Sequence, residues 1–329
     1  MIVTRAPLRI PLGGGGTDLP AYYRKHGGFI LSAAVNKYVF ITMNRMKVDD
    51  SFRIKYSRTE IVNDVNEIEH PLVREALKMA ALGGGLEIAS MADVPAGTGM
   101  GSSGTFLVSL LTALHAYKRE YLPTWSLAEE ACTIEIDIVG QPSGKHDQYM
   151  AAFGGLTCLD IDGDGVVTVN PLKISAHGVD QLRNSLTLYY TGIRRESSDI
   201  LSEQSRAVKE DRKDVVDCLH TIKEIGLEIK RALEAGDLDR FGRLLDDHWQ
   251  TKKKLSSKVS GAMIDRWYDV AMDSGALGGK LMGAGGGGFL MFYCDNGAKG
   301  VLRQAMDKEG LREMPFDFDF EGAKVLVNF

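Results

Sequence analysis

Apolar and polar residues change period several times along the chain, and each change marks an element. Met1-Ile-Val-Thr-Arg-Ala-Pro-Leu-Arg-Ile10 alternates with a period of two, which predicts a strand from about Val3 to Ile10. Phe29 to Met43 reads as extended too, as a hairpin or pair broken near Asn36-Lys37, and Phe52 to Tyr56 as a further strand. His70 to Leu82 has helical spacing. Leu86 to Ala92 is a short apolar run of strand length, and Thr105 to Ala116 is an amphipathic to fully apolar helix. Ser126 to Val139 predicts a helix, with Ser126 as N-cap and Glu129 completing a capping box. Gly155 to Asp160 and Val166 to Val169 flank Asp162-Gly-Asp-Gly165, a hairpin signal.

Ser185 to Thr191 opens the second half as a strand. A helical block runs from about Ser198 to Ser274, with its main break near Ala235-Gly-Asp237. A glycine-rich segment then leads into the strand Phe289 to Tyr293. The helix Gly297 to Glu309 and strands near Phe318 and Val325 close the chain. No internal repeat or long low-complexity linker interrupts it. Strands and helices do not alternate regularly, so the fold class is α+β, without the βαβ repeat of a doubly wound sheet. The 329 residues, 44% of them hydrophobic, suffice for two domains, and the division is expected near residue 185, giving 1–185 and 186–329.

The net charge of −5 and a pI near 5.9 supply no global basic field, so neither nucleic acid nor a membrane surface is an expected partner. No run of 18 apolar residues predicts a transmembrane helix, and the first ten residues carry no signal-peptide core. Cys132, Cys158, Cys218 and Cys294 are far apart and form no C-x-x-C, which suggests free thiols in a reducing cytoplasm. The seven histidines show no metal-ligand spacing.

The chemistry centres on Val94-Pro-Ala-Gly-Thr-Gly-Met-Gly-Ser-Ser-Gly104, between a predicted strand and a predicted helix. A glycine-rich turn opening a helix gathers unpaired N–H groups around one point, and the helix dipole adds partial positive charge there. Two serines add hydroxyls that reach a phosphate or a metal, so the segment reads as an anion site. A Walker A loop needs Gly-Lys-Ser/Thr, and no lysine lies between Lys78 and Lys118. Gly99-Met-Gly-Ser-Ser-Gly104 is a literal G-x-G-x-x-G, yet no strand ending in an acid follows about 20 residues on, as a dinucleotide fold requires. Pro95-Ala-Gly-Thr-Gly-Met-Gly-Ser-Ser103 resembles the Pro-x-x-x-Gly-Leu-Gly-Ser-Ser motif of the GHMP small-molecule kinases, with Met for Leu.

Three further segments extend that resemblance in family order. Pro7-Leu-Arg-Ile-Pro-Leu-Gly-Gly-Gly-Gly-Thr-Asp18 is similar to the first motif of the sugar kinases in the family, with Gly15-Gly16 where galactokinases carry Glu-His. Glu135-Ile-Asp-Ile-Val-Gly-Gln-Pro-Ser-Gly-Lys-His-Asp-Gln148 resembles the galactokinase segment that holds two acids at the same separation. Lys280-Leu-Met-Gly-Ala-Gly-Gly-Gly-Gly-Phe289 resembles the third motif.

The resemblance implies a GHMP kinase fold, an N-terminal ribosomal protein S5-like α/β domain followed by a C-terminal α+β domain, with the site between them. It implies ATP and Mg²⁺ as cofactors and a small-molecule hydroxyl as acceptor. On the motif matches, Asp147 is the catalytic base and Arg9 lies near the transferring phosphoryl group. Pro95, Gly97, Gly99, Gly101, Ser102, Ser103 and Gly104 hold the nucleotide's phosphates. Glu135 is a Mg²⁺ ligand, completed by Ser102 or Ser103. Asp18 takes sugar hydroxyls, with Gly15, Gly16 and Thr17 beside it, and the missing Glu-His pair argues against galactose. The glycines of the third motif let a turn pack against the phosphate loop.

Within the family, Leu8 to Tyr23 with His26-Gly-Gly28, and Leu188 to Asp199, resemble the heptose 7-phosphate kinase branch. That branch implies phosphorylation of the anomeric hydroxyl of a seven-carbon sugar phosphate, on a route to surface polysaccharide. L-Fucose kinases, which share Gly-Gly-x-Thr-Asp, are the second reading, and a non-catalytic sugar- or nucleotide-binding regulator is the third. Arg194 and Arg195 follow a predicted strand and are the candidates for the acceptor's phosphate.

The remaining charged features have plainer readings. Lys145 is close enough in sequence to favour ionised Asp147, although residues two apart on a helix do not face each other. Asp137 and His146 read as bystanders. Asp160-Ile-Asp-Gly-Asp-Gly165 matches the start of a calcium loop, but the position of the bidentate Glu is Pro171, so a hairpin turn is expected. Lys252-Lys-Lys254 reads as a solvated helix face.

Overall fold

The computed structural model describes residues 1–194 and 198–329. Arg195 therefore lies outside the described residues. In chain order the strands are β1 (Ile2–Gly13), β2 (Gly28–Arg45), β3 (Phe52–Lys55), β4 (Thr59–Val62), β5 (Leu86–Ala92), β6 (Leu156–Ile161), β7 (Val167–Pro171), β8 (Leu186–Tyr190), β9 (Ala276–Leu281), β10 (Phe289–Cys294), β11 (Arg312–Glu313) and β12 (Lys324–Asn328). Eight of them form one sheet, β12-β1-β2-β5-β3-β4, with β6 beside the start of β2 and β7 beyond it. The other four form an antiparallel sheet, β11-β8-β10-β9.

β2 is one continuous strand of 18 residues, so Asn36-Lys37 is not the break its polarity suggests. Its register against β1 steps from Pro7–Tyr38 to Leu8–Val35, and the two polar residues bulge from an unbroken pair. The second step falls between Pro11 and Gly13. Both irregularities sit beside prolines, which have no N–H to give a ladder.

The helices are α1 (Pro20–His26), α2 (Pro71–Met79), α3 (Ser102–Lys118), α4 (Thr124–Cys132), α5 (His146–Phe153), α6 (Ala176–Ser185), α7 (Ser198–Lys209), α8 (Lys213–Glu234), α9 (Leu238–Lys253), α10 (Ala262–Asp273) and α11 (Lys299–Lys308). The expected block from Ser198 is thus four helices, broken also at 210–212 and 254–261. The helix expected from Ser126 starts two residues earlier, with Pro123 as N-cap and no side-chain cap. Glu129 closes no capping box; it accepts from Lys145 Nζ at 2.8 Å and from Tyr149 Oη. α6, absent from the sequence reading, is capped by Ser175, whose Oγ accepts from Gly178 N at 3.0 Å. Phe318 forms only an isolated bridge to Val35.

One face of the large sheet buries Ala6, Ile30, Ile41 and Ile88 against α2, α3, α4 and α5, through residues such as Leu77, Leu111, Ala131 and Met150. On the other face Leu8, Ile10 and Leu12 share a core with Leu188 and Met291 of the small sheet and with Phe241 and Leu245 of α9. β1 thus joins the two sheets, and its C-terminal end delivers the first glycine run to the seam between them. No helix among the described residues is long and apolar enough to cross a membrane.

Candidate active site

The phosphate loop sits at the end of β5 and runs into α3. The helix starts at Ser102, three residues earlier than its apolar run suggests, so both serines lie in its first turn. Its N-cap is Gly101 at φ +82°, and no side chain caps it. The N–H groups of that turn have no intrahelical acceptor, which is what an anion requires. Ser102 Oγ is buried without a hydrogen-bond partner. Gly97, Gly99, Gly101, Ser102 and Ser103 line a cavity of about 660 Å³. Pro95 turns the loop, its carbonyl accepting from Thr98 Oγ1 at 2.9 Å. Gly104 faces away from the cavity, packed under Asp147 and Gln148.

The far end of the same cavity is lined by Tyr56, His70, Met91 and Phe106. His70 and Phe106 stack with ring centroids 5.0 Å apart. These residues come from separate elements and carry no motif, so sequence reasoning missed them. The cavity therefore has an apolar, aromatic end and a donor-rich end. A Cβ on Gly101 would lie 3.0 Å from Asp147 Cγ, on backbone that L side chains rarely adopt. Gly101→Val should weaken nucleotide affinity at least tenfold in a titration; unchanged affinity would move the nucleotide elsewhere.

Arg9, on β1, is buried and meets Asp147, in the first turn of α5. Arg9 Nε donates to Asp147 Oδ1 at 2.8 Å, and Nη2 approaches the same oxygen at 2.5 Å. Nη1 donates to Gly99 O at 2.5 Å, tying the pair to the phosphate loop. Asp18 stands close by, accepting from Gly16 N at 3.2 Å and His146 N at 3.3 Å. Burial, and then the charge of Asp147, push its carboxyl up to about 6, against hydrogen bonds from its own backbone N–H and that of His146 and against the charge of Arg9. Gly15, Gly16, Asp18, Arg9 and Asp147 line a second, smaller cavity of about 90 Å³. Thr17 is buried beneath it, with Oγ1 2.8 Å from Gly14 O and accepting from Phe29 N at 3.0 Å; its hydroxyl pins the turn.

Glu135 lies on a π-helical segment, Thr133–Ile138, that continues α4. The wider turn buries the adjacent residues Ile134 and Glu135 together. Glu135 Oε1 accepts from Ser103 Oγ at 2.6 Å and Oε2 from Gln148 Nε2 at 2.7 Å. Burial and the nearby Asp147 push its carboxyl up to about 7, against those two hydrogen bonds. Glu135, Ser103, Asp147 and Arg194 line a third cavity, of about 620 Å³, next to the loop. Arg194 is exposed there, its Nε 3.4 Å from Tyr190 Oη.

Three expectations change here. Lys145 does not reach Asp147; it donates to both oxygens of Glu129 and to Gly165 O. His146, read as a bystander, does not stand apart from the pair: it is buried on the wall of the small cavity with Nδ1 3.6 Å from Asp147 Oδ1. Lys252 is not part of a solvated face. It is buried, with Nζ donating to Leu281 O at 3.1 Å and Gly283 O at 2.5 Å. The expectation for Asp162 holds: its Oδ1 accepts from Asp164 N and Val166 N, both at 2.9 Å, in the β6–β7 hairpin turn.

Lys280, of the third motif, is buried as well, with Nζ donating to Leu12 O at 3.2 Å. Burial lowers Lys252 to about 7 and holds Lys280 well below the ordinary lysine range, with neighbouring cations adding to both shifts. The third-motif glycines do pack on the phosphate loop. A Cβ on Gly99 would lie 2.6 Å from Met282 O, and one on Gly283 would lie 2.5 Å from Gly99 Cα.

Residues 68–155 match the family described as GHMP kinases N terminal domain, and residues 229–311 match GHMP kinases C terminal. The chain is 31% identical, over 98% of its length and 98% of the relative's, to the D-glycero-alpha-D-manno-heptose 7-phosphate kinase of Campylobacter jejuni. It is 25% identical to the L-fucokinase/L-fucose-1-P guanylyltransferase of Bacteroides fragilis, over 87% of this chain and 34% of that protein. The crystal structure of a D-glycero-D-manno-heptose 1-phosphate kinase from Bacteroides thetaiotaomicron matches all of both chains with a TM-score of 0.82 at 28% identity. Mevalonate kinase, at 19% identity, shares the fold with a TM-score of 0.72. The uncapped phosphate loop, the paired Arg9 and Asp147 and these matches agree: the chain belongs to the GHMP kinase family and is an ATP-dependent small-molecule kinase.

Proposed function

We propose that the protein transfers the γ-phosphoryl group of ATP to the anomeric hydroxyl of D-glycero-D-manno-heptose 7-phosphate, giving the 1,7-bisphosphate for surface polysaccharide synthesis. The observation that carries this reading is the position of Asp147 and Arg9 on the wall shared by the nucleotide-sized cavity and the small one beside it. The likeness to heptose phosphate kinases along the whole chain supports the choice of sugar. Unpaired thiols and the use of ATP fit the cytoplasm.

In this account the aromatic end around Tyr56, His70 and Phe106 takes the base, and the first turn of α3 takes the phosphates. Asp18 holds acceptor hydroxyls, and the bare backbone at Gly15, where a Cβ would meet nothing within 4 Å, leaves room beside the sugar. The acceptor oxygen bonds to the γ-phosphorus as the bond to the β–γ bridging oxygen breaks. The hydroxyl proton passes to Asp147, whose Oδ1 is held by Arg9 and whose Oδ2 is left for the substrate. The same guanidinium lies where negative charge spreads during transfer. Arg194, exposed beside Glu135, stands at the entrance and guides the anionic acceptor inward.

Among the described residues no group of three or more His, Cys, Asp or Glu forms a closed metal cage. Mg²⁺ needs none, because one or two carboxylates plus substrate phosphates suffice. The orphaned Ser102 Oγ and the Ser103–Glu135 pair fit such a cation, and these residues would hold it. When bound it would neutralise charge on the β- and γ-phosphates. Glu135→Gln should raise the Mg²⁺ concentration for half-maximal activity several-fold, since a neutral amide is a weaker hard-oxygen ligand. An unchanged Mg²⁺ titration would remove Glu135 from that role.

Asp18 gives a test with a pH signature. Its carboxyl ionises near 3.8 when free and near 6 in the fold, so the folded chain holds the proton more tightly. Stability from this group is fullest below the free value and is lost as pH rises through about 6. The full loss is about 3 kcal/mol at about 1.4 kcal/mol per pH unit. Asp18→Asn should therefore raise Tm at pH 8 and leave it nearly unchanged at pH 4. The same variant should raise KM for the acceptor at least tenfold, because the ionised group accepts its hydroxyls. A Tm difference that is equal at both pH values contradicts the burial argument.

A further inference from the structure

We propose that Lys252, Lys280 and His248 form a built anion subsite in the small cavity, which takes the terminal phosphate monoester of the acceptor. The proposal rests on the reading of the acceptor as a sugar phosphate. His248 and Lys252 stand one turn apart on α9, and Lys280 reaches in from β9, so rigid elements position all three. Together they line the cavity that Gly16 and Asp18 line from the first motif. Exposure is 8% for Lys252, 2% for Lys280 and 1% for His248.

The donors are only partly used. An ammonium has three N–H groups. Lys252 spends two on the carbonyls of Leu281 and Gly283, and Lys280 spends one on Leu12. Both ring nitrogens of His248 are buried without a partner. Among the described residues neither ammonium has a carboxylate partner. The acids on the cavity wall are already engaged, Asp18 by backbone N–H groups and Asp147 by Arg9. Buried cations and idle buried donors are costly unless an anion meets them. A phosphate monoester brings nearly two negative charges and three acceptor oxygens, which suits these donors better than a carboxylate. Sequence reasoning assigned this duty to Arg194 and Arg195; Arg194 is exposed, whereas these three groups are enclosed.

The test compares wild type with Lys252→Met, Lys280→Met and His248→Gln. KM is measured for D-glycero-D-manno-heptose 7-phosphate and for ATP, and binding of inorganic phosphate is followed by thermal shift with an ATP analogue present. Each variant should raise the sugar-phosphate KM at least tenfold and the ATP KM less than twofold, and should lose the stabilisation by inorganic phosphate seen in wild type. Lys252→Met leaves the carbonyls of Leu281 and Gly283 without their donor and Lys280→Met leaves that of Leu12, so the lysine variants should melt somewhat lower than wild type; His248→Gln, whose ring has no hydrogen-bond partner to lose, supplies the reading if either fails to fold. A rise in the ATP KM alone assigns the groups to the nucleotide's phosphates and overturns the proposal. Unchanged KM values, or phosphate stabilisation retained in the variants, overturn it as well. Should wild type phosphorylate no sugar phosphate, the substrate reading fails by itself. Phosphate stabilisation lost in the variants then upholds the subsite, and its absence in wild type or its retention in the variants rejects it.

Discussion

Asp147→Asn is expected to lower kcat by on the order of 10²–10⁴-fold while leaving nucleotide affinity within about twofold, as general-base loss usually does. The amide has the size of the carboxylate but cannot take the hydroxyl proton. Its Oδ1 can still accept from Arg9, so the tie between β1, the phosphate loop and α5 persists. If the transition state is strongly metaphosphate-like, the hydroxyl needs little help and the loss falls at the lower end. Single-turnover kinetics separate the chemical step from binding. Near-normal single-turnover rates in the variant would remove Asp147 from the base role.

Arg9→Gln is expected to lower kcat by roughly 10²–10³-fold, the range for losing one preorganised electrostatic partner of the transition state. It should also lower stability, unlike Asp147→Asn. Arg9 donates to Gly99 O and Asp147 at once, and its removal leaves a largely buried carboxylate and a loop carbonyl without their donor. Arg9→Lys should rescue Tm more than kcat, because an ammonium keeps the charge but not the planar fork. Equal rescue of both would show that charge alone suffices.

Local signals made most of the architecture legible. Period-two alternation gave β1, and the glycine-serine loop marked the start of α3 because its signal lies in consecutive residues. The hairpin at Asp162-Gly-Asp-Gly165 followed from turn chemistry. Readings failed where tertiary packing decides. Asn36-Lys37 looks like a turn, but it lies opposite the Pro7–Leu8 step of the partner strand and bulges from an unbroken pair. Ser126 and Glu129 spell a capping box, but Pro123 starts the helix and Glu129 is claimed by Lys145 and Tyr149. Lys252 looks like one of three solvated lysines, yet its position on α9 turns it into the seam between the sheets while Lys254 stays exposed. The aromatic lining of the cavity beside the glycine-serine loop gathers Tyr56, His70 and Phe106 from three places in the chain, a convergence that no spacing encodes.

The central claim is transfer to a sugar that already carries a phosphate, and product analysis tests it most directly. Wild-type protein with ATP, Mg²⁺ and D-glycero-D-manno-heptose 7-phosphate should release ADP and yield a product with two ³¹P resonances, one from the original monoester and one from a phosphate on the anomeric carbon. Unphosphorylated heptose, L-fucose and galactose should give kcat/KM at least 100-fold lower in the same assay. Equal or better turnover of an unphosphorylated sugar, or a second phosphate on any carbon other than the anomeric one, would contradict the account.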